Sequence, residues 1–356
     1  MSTLEKNIMA PSEASAVVQG AFDTLNGKLP MSAVFPMKST GGETQVRWTP
    51  TLPGAAVDSM LYRAWDAEAG YGKTERTSAE KYAGLFPLSK KAHISERDII
   101  GHIGDSTYLR TMITDALERL GREAAATVET IRIGALVDAK YTVNGNGIQN
   151  ATWDFDRPAS LNVALSGTKK WNGTAAKPME DIADWIKLIV AAQGRTPGAA
   201  IMDSATMAAL TKDAAFIAAA TGIYDGTNKP TFITPLQVKG VLAAQFGLTD
   251  VRVIDEMYTQ VERDNGIVLP IPVSTLIPSG TFVMFSSFND INLGFTASGP
   301  TAEAKSAEYA INKPDNSGMI GIVTSDNAPT RYDVYVNGTM MPILVQAVST
   351  LKATVL

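Results

Sequence analysis

Few residues in this chain could carry chemistry. His93 and His102 are its only histidines, so they alone among its side chains ordinarily titrate near neutral pH. They flank a short predicted helix, and neither has a nucleophile and an orienting carboxylate fixed beside it in sequence, so surface or structural roles are expected. Gly72-Lys73-Thr74 matches the tail of a phosphate-binding loop. That loop also needs an earlier glycine, at the position this chain fills with Ala67. It needs a buried strand leading in as well, where the chain has Leu61-Tyr62-Arg63-Ala64-Trp65-Asp66. The complete absence of cysteine excludes disulfides, thiolate catalysis, cysteine-ligated zinc and iron–sulfur clusters. No H-E-x-x-H, G-x-S-x-G or strand-borne G-x-G-x-x-G occurs. Asp315-Asn316-Ser317-Gly318 lacks the remaining ligands of a calcium loop. Asn150-Ala151-Thr152 and Asn172-Gly173-Thr174 match the glycosylation pattern, but no secretory signal opens the sequence. No catalytic, cofactor-binding or metal-binding residue is predicted, and no cofactor.

The composition agrees with that. The chain has 356 residues, 45% hydrophobic and 19% charged, which excludes wholesale disorder and gives two compact domains or one elaborated fold. A net charge of −5 argues against gripping nucleic acid through a broad basic face. The longest apolar stretch, Ile267 to Phe285, is broken by Pro270, Pro272, Pro278 and Gly280, so no membrane span is predicted. A soluble protein of a cytosol-like compartment is expected.

The elements that would position any site follow from periodicity. Ser12 to Leu25 reads as a helix, and Thr44 to Trp48 as a strand. Gly54 to Lys91 mixes glycine and charge without core-forming periodicity, which predicts a two-stranded excursion. Ser95 and Asp98 form a capping arrangement for a helix to Ile100. Leu109, Ile113, Leu117, Leu120, Ala124, Val128, Ile131 and Ala135 make one helical stripe within a proline-free run, 105–140. Strand-like pieces surround Asp154-Phe155-Asp156. Pro178 opens a helix from Met179 to Gln193 that Gly194 closes. Strands at Ala199 to Met202 and Val251 to Ile254 alternate with helices at Ser204 to Leu210 and Leu236 to Phe246, as in a mixed α/β domain. Asp264-Asn265-Gly266 and Asn337-Gly338 are read as hairpin turns, the second joining Tyr332–Val336 to Met340–Val345. Ala347 to Val355 is a closing strand. A polar excursion, a long helix, a compact α/β part and a late return to strands would not bury themselves as one monomer. They fit an assembly protein stabilised partly between subunits.

Those pieces, in order, resemble a tailed-phage major capsid protein of the lambda-like E family, from about Thr44 to the C-terminus. The resemblance is carried by Phe86-Pro87-Leu88-Ser89-Lys90-Lys91 with Ile94-Ser95-Glu96-Arg97-Asp98-Ile99, Leu136-Val137-Asp138-Ala139-Lys140-Tyr141 and Trp153-Asp154-Phe155-Asp156-Arg157-Pro158. It continues through Val253-Ile254-Asp255-Glu256-Met257-Tyr258, Leu276-Ile277-Pro278-Ser279-Gly280-Thr281, Gly294 with Gly299-Pro300-Thr301-Ala302-Glu303, Pro329-Thr330-Arg331-Tyr332 and Met341-Pro342-Ile343-Leu344.

The resemblance implies an α+β tailed-phage major capsid fold with N-arm, extended loop, peripheral domain with long spine helix, and axial domain. The corresponding spans are 1–45 for the arm, 46–100 for the loop region (loop 54–91) and 101–170 for the peripheral domain (spine 105–140). The axial domain takes 171–290, and 291–356 returns to the peripheral domain. It further implies pentamers and hexamers that close an icosahedral shell around double-stranded DNA, bound non-specifically. Scaffolding protein, prohead protease and portal would be partners, with room for a decoration protein, and the location would be the virion after assembly in the host bacterial cytoplasm. The chain opens on the arm helix, so scaffold is expected as a separate protein. Some related shells are cross-linked through a loop lysine and an asparagine; Lys73, Lys81, Lys90 and Lys91 lie in or near the loop, but no partner is fixed and no cross-link is predicted. An encapsulin-like bacterial nanocompartment shell, with protein cargo, is the alternative. An enzyme would instead need a formed pocket with converging polar residues.

Overall fold

The computed structural model describes residues 3–50, 68, 80–102, 104–145, 147–224, 230–327 and 330–356. The chain enters through a short strand, β1 (Thr3–Leu4), and helix α1 (Pro11–Asn26), which buries Val18, Phe22 and Leu25. Pro11 sits in the first turn, where its missing N–H has no helical partner to lose. After β2 (Met37–Ser39), strand β3 (Gln45–Trp48) alternates as its sequence predicts, with Val46 and Trp48 buried. It pairs antiparallel with β4 (Lys81–Gly84), so the expected excursion has a paired stem. The remainder of the 54–91 span, residues 54–67 and 69–79, lies outside the described residues.

β5 (Pro87–Ile94) leads to the short α2 (Glu96–Ile99), where Ser95 and Asp98 form the predicted capping box. The spine, α3 (Ser106–Asp138), is 33 residues long. Asp105 caps it by accepting from the amides of Thr107 and Tyr108 at 3.0 Å. A hairpin, β6 (Lys140–Gly145) and β7 (Ile148–Asp154), follows, then the edge strand β8 (Asn162–Ala164).

Next come α4 (Pro178–Gln193), β9 (Ala199–Met202), α5 (Ser204–Lys212), α6 (Ala214–Thr221), α7 (Pro235–Phe246) and β10 (Asp250–Val253). Gly194, Gly222 and Gly247 close three of these helices in the left-handed conformation. Helices α8 (Ile254–Asn265) and α9 (Val273–Leu276) precede β11 (Thr281–Phe285), β12 (Gly294–Gly299) and α10 (Ala302–Lys305). β13 (Ile320–Asn327), β14 (Thr330–Leu344) and β15 (Leu351–Thr354) complete the chain.

Two sheets organise this. The first runs β1-β13-β14-β12-β2, with β5 also paired to β14, and packs on α1 and the spine. The second runs β10-β9-β11-β15-β8. Its two faces feed two cores. Phe282 and Met284 point into the core under α4–α7, while Val283 and Phe285 point into the core around the spine.

Three expectations fail. Asn337-Gly338 is no turn: β14 runs straight through it, pairing Asn337 with Ile320 and Ser89. The glycine is there because the sulfur of Met319 fills the space a Cβ would need, 2.3 Å away. Asp264-Asn265-Gly266 is the end of α8, with Gly266 left-handed at the cap. The last segment does not return wholly to the spine's sheet. A 3₁₀ turn occupies Ala347–Ser349, and β15 pairs with β11 and β8 in the second sheet.

Close approach of α1 to the spine depends on Gly121, where a Cβ would stand 2.7 Å from the Val18 carbonyl oxygen and 3.1 Å from Ala21 Cβ. Lys313 ties α1 to the turn before β13, donating to Gln19 Oε1 at 2.9 Å and to the Met319 carbonyl. Burial pushes its amine down to about 8, against the opposing pull of Asp23.

Gly121→Ala should therefore destabilise the subunit by about 1–3 kcal/mol through overpacking against backbone. Gly20→Ala, in the same helix pair but with open space at its Cβ, should stabilise it by about 0.5–1 kcal/mol. Urea unfolding of the two variants checks the contrast. Because the folded Lys313 amine titrates below its unfolded value of 10.5, stability rises with pH between about 8 and 10.5. Melting wild type and Lys313→Met at pH 7 and pH 10 should show the difference moving in favour of wild type at the higher pH.

Candidate functional site

The histidines are apart and locally occupied. His93 Nδ1 lies 2.8 Å from Asp333 Oδ1, its cross-strand neighbour between β5 and β14. His102 stacks on Tyr108 with ring centroids 3.6 Å apart. Lys81 pairs with Asp156, Lys90 Nζ bonds Glu123 Oε2 at 2.6 Å, and Lys91 Nζ stands 5.7 Å over the Tyr335 ring. Lys73 and the Gly72-Lys73-Thr74 motif lie outside the described residues. Asp315 to Gly318 form a tight turn, with Asp315 and Asn316 at positive φ and Asp315 accepting from Ser39 Oγ at 2.8 Å. Among the described residues, no group of three or more histidines and carboxylates could hold a metal ion. No helix among them is long and apolar enough to cross a membrane.

The strongest polar constellation was not picked out from sequence. Glu129 and Arg132, one turn apart on the spine, are both fully buried. Glu129 Oε1 accepts from the Met31 amide at 2.7 Å and from Tyr258 Oη on α8 at 2.5 Å. Arg132 donates to Glu129 Oε2 at 3.2 Å, Asn26 Oδ1 at 2.7 Å and Thr296 Oγ1 at 3.0 Å. Burial lowers the Arg132 guanidinium's pKa against the Glu129 charge, and burial with Glu129 raises the Tyr258 hydroxyl well above its usual value. The cluster has the residue types of a catalytic site, but a hydroxyl held above its usual range is the reverse of an activated one. The cluster is instead a closed core network, for the groups satisfy one another and substrate has no route to them.

A second buried cation ends the spine. Arg157 donates to the carbonyls of Val137 at 2.8 Å and Leu136 at 2.5 Å, and to Thr350 Oγ1 at 2.9 Å. It satisfies carbonyls the helix leaves orphaned and complements the negative end of its dipole. Its neighbours Trp153 and Phe155 face the other way, against Phe86 and Trp48 of the excursion's stem region at centroid distances of 5.4 and 6.3 Å. The run Trp153 to Arg157 thus joins the stem to the spine's end.

An open groove of about 510 Å³ runs beside the spine, floored by Leu88, Leu120 and Ile267 and edged by Lys90, Arg119 and Arg122. Another of about 450 Å³ lies at the spine's start, among Ile99, Tyr108, Leu109, Met112 and Tyr332. The second also has Glu96, His102, Asp105 and Ser106 in its lining, with His102 stacked on Tyr108 and Asp105 engaged in capping the spine.

A family model described as phage major capsid protein E matches residues 89–355, starting inside β5 and so later than the Thr44 expected from the motifs. Among solved structures, the putative capsid protein of a prophage of E. coli CFT073 is 13% identical, with all of both chains covered and a TM-score of 0.56. A phage-related protein from Bordetella bronchiseptica RB50 is 12% identical over 94% of this chain and 95% of that one, with a TM-score of 0.51. The capsid of Myoviridae phage XM1 is 13% identical over 92% and 91%, with a TM-score of 0.50. No curated protein matches in sequence. At such identities the structural likeness is one of fold, the expected α+β tailed-phage capsid fold. That fold and a sequence match running from the excursion's returning strand to the last strand place this chain in the phage major capsid protein E family, a family of structural proteins rather than enzymes.

Proposed function

We propose that this chain is the shell subunit of a tailed bacteriophage. Copies assemble as pentamers and hexamers into an icosahedral capsid around double-stranded DNA. The observation that carries this reading is the family match over residues 89–355. In these terms residues 1–45 are the N-arm, 46–100 the extended-loop region, 101–170 the peripheral domain with its spine, and 171–290 the axial domain. Residues 291–344 rejoin the peripheral sheet and β15 supports the axial one. Scaffolding protein and prohead protease act during assembly in the host cytoplasm, the portal occupies one vertex, and a decoration protein has the outer surface available. DNA is held by enclosure, which suits a chain of net charge −5. The family match favours this over the protein-filled encapsulin shell.

Expression with scaffold and protease, followed by sizing and negative-stain microscopy, should give closed shells; a protein that stays a compact monomer defeats the reading. Replacing residues 51–79 by a short Gly-Ser linker removes the segment of chain between β3 and β4. The variant should keep wild-type circular dichroism and melting within about 0.5 kcal/mol, as surface changes do, yet form no closed shells.

A further inference from the structure

Lys313 is a nucleophile that shell building leaves unused, and it lies against a carboxamide. Its Nζ, in the turn before β13, donates to Gln19 Oε1 on α1 at 2.9 Å and to the Met319 carbonyl. The same Gln19 oxygen accepts a second bond, from the Met319 backbone N–H at 2.8 Å. Gln19 Nε2 donates in turn to Asp23 Oδ1, one helical turn on, at 2.9 Å. Gly318 permits this approach, for a Cβ there would stand 2.7 Å from Gln19 Oε1 and 3.4 Å from Lys313 Nζ. One amide thus has an amine at its carbonyl, a backbone donor on its oxygen and a carboxylate on its nitrogen. Those are the parts of an acyl transfer: nucleophile, oxyanion donor and proton carrier. A C=O bond is about 1.23 Å long, so Nζ lies within about 4.1 Å of Gln19 Cδ. A shift of about 1 Å or less brings it to the separation of about 3–3.5 Å from which reaction proceeds.

We propose that Lys313 and Gln19 join in an isopeptide bond that the folded subunit forms on itself. The lysine nitrogen bonds Gln19 Cδ as the Cδ–Nε2 bond breaks. The lysine nitrogen gives up one proton, the departing nitrogen gains one by way of Asp23, and one ammonia leaves; nothing is oxidised or reduced. The Met319 N–H stays on the amide oxygen while that oxygen carries charge. The Met319 carbonyl holds one N–H of the neutral amine, which leaves the lone pair for Cδ. Burial supplies the neutral form by holding the Lys313 pKa at about 8, although the Asp23 charge pulls it up. Helix α1 presents Asp23 to this amine, Met319 presents backbone, and Asp315 in the same turn is engaged by Ser39 Oγ. The Lys313 titration described above belongs to the fresh subunit, before the bond forms. The bond ties the arm helix to the first sheet within one subunit, whether or not copies assemble.

Full-length protein held at pH 9 should lose one ammonia by intact mass spectrometry, and a protease digest should contain the Gln19 and Lys313 peptides joined. The rate should rise about tenfold from pH 7 to pH 9 and flatten, where a lysine of ordinary pKa would give about a hundredfold. Lys313→Arg keeps the cation and should give no joined peptides. Asp23→Asn, at an exposed position, should slow joining by about a hundredfold, the loss expected on removing a proton carrier. Lys28 and Asn265 are the internal control. Lys28 Nζ bonds Asn265 Oδ1 at 2.9 Å, but at the surface and with the amide nitrogen on the Val261 carbonyl rather than on a carboxylate. That pair should stay unjoined. A wild-type digest without the Gln19–Lys313 product after prolonged incubation at pH 9 overturns the proposal. So does joining of Lys28 to Asn265 at an equal rate, or an Asp23→Asn variant that joins as fast as wild type.

Discussion

Glu129 and Arg132 are withdrawn from water together, and the rest of the subunit is arranged so that neither is left alone. Taking an isolated carboxylate or guanidinium into a protein interior costs several kcal/mol, and stranding one member of a buried pair costs about 3–5 kcal/mol. Their remaining partners come from four stretches of chain: Asn26 ending α1, Met31 in the turn after it, Thr296 on β12 and Tyr258 on α8. Thr296 in turn donates to the Phe35 carbonyl at 2.9 Å. The network is complete only when the arm, the spine, the first sheet and the helix leaving the second sheet are all in register. A purely apolar contact at the same place would tolerate sliding; this one does not.

That pin was illegible in the sequence for a physical reason. Glu129 and Arg132 sit on a helix whose other charges are largely solvated, such as Arg119 and Glu123, and nothing local distinguishes a buried i, i+3 pair from an exposed one. What distinguishes it is the strand and helix laid over it, brought from residues 258 and 296. The local features were legible because local physics fixes them. The Ser95–Asp98 box and Gly194 at the end of α4 satisfy backbone groups within a few residues, and Pro178 at the start of α4 removes an N–H that would have had no helical partner. The two Asn-Gly-type turns misled because the same dipeptide serves three ends. Glycine at 266 supplies a left-handed helix cap, and glycine at 338 makes room for Met319 in a straight strand. A hairpin needs neither more nor less in sequence, so only tertiary packing separates them.

The scarcity of reactive groups also reads differently beside the structure. Four of the perturbed groups, Arg132, Arg157, Lys313 and Tyr258, are shifted mainly by burial, and each is tied to backbone or to a facing side chain. Perturbation of this kind marks an active site only where a cleft admits a substrate. Here the same physics holds segments together. Arg157 replaces the glycine that usually ends a helix: Ala139 takes the left-handed position, and the guanidinium satisfies the orphaned carbonyls.

On the proposed shell reading, a subunit placed at both five-fold and six-fold positions has to absorb a change of curvature. Turning the axial helices against the spine would shear β9 and β11, because alternate side chains of these strands are packed into both cores. Interiors packed in this way do not deform gradually. The excursion's stem is joined differently. β3 and β4 form their own two-stranded ladder, and beyond chain connectivity they meet the body through side chains: Val46, Trp48 and Ala83 in the core around the spine, and the Lys81–Asp156 pair. Side-chain contacts of that sort can tilt without breaking a backbone ladder. The least costly place for curvature is therefore the stem's seat on Trp153 to Asp156, and Arg157 holds that seat fixed to the end of the spine.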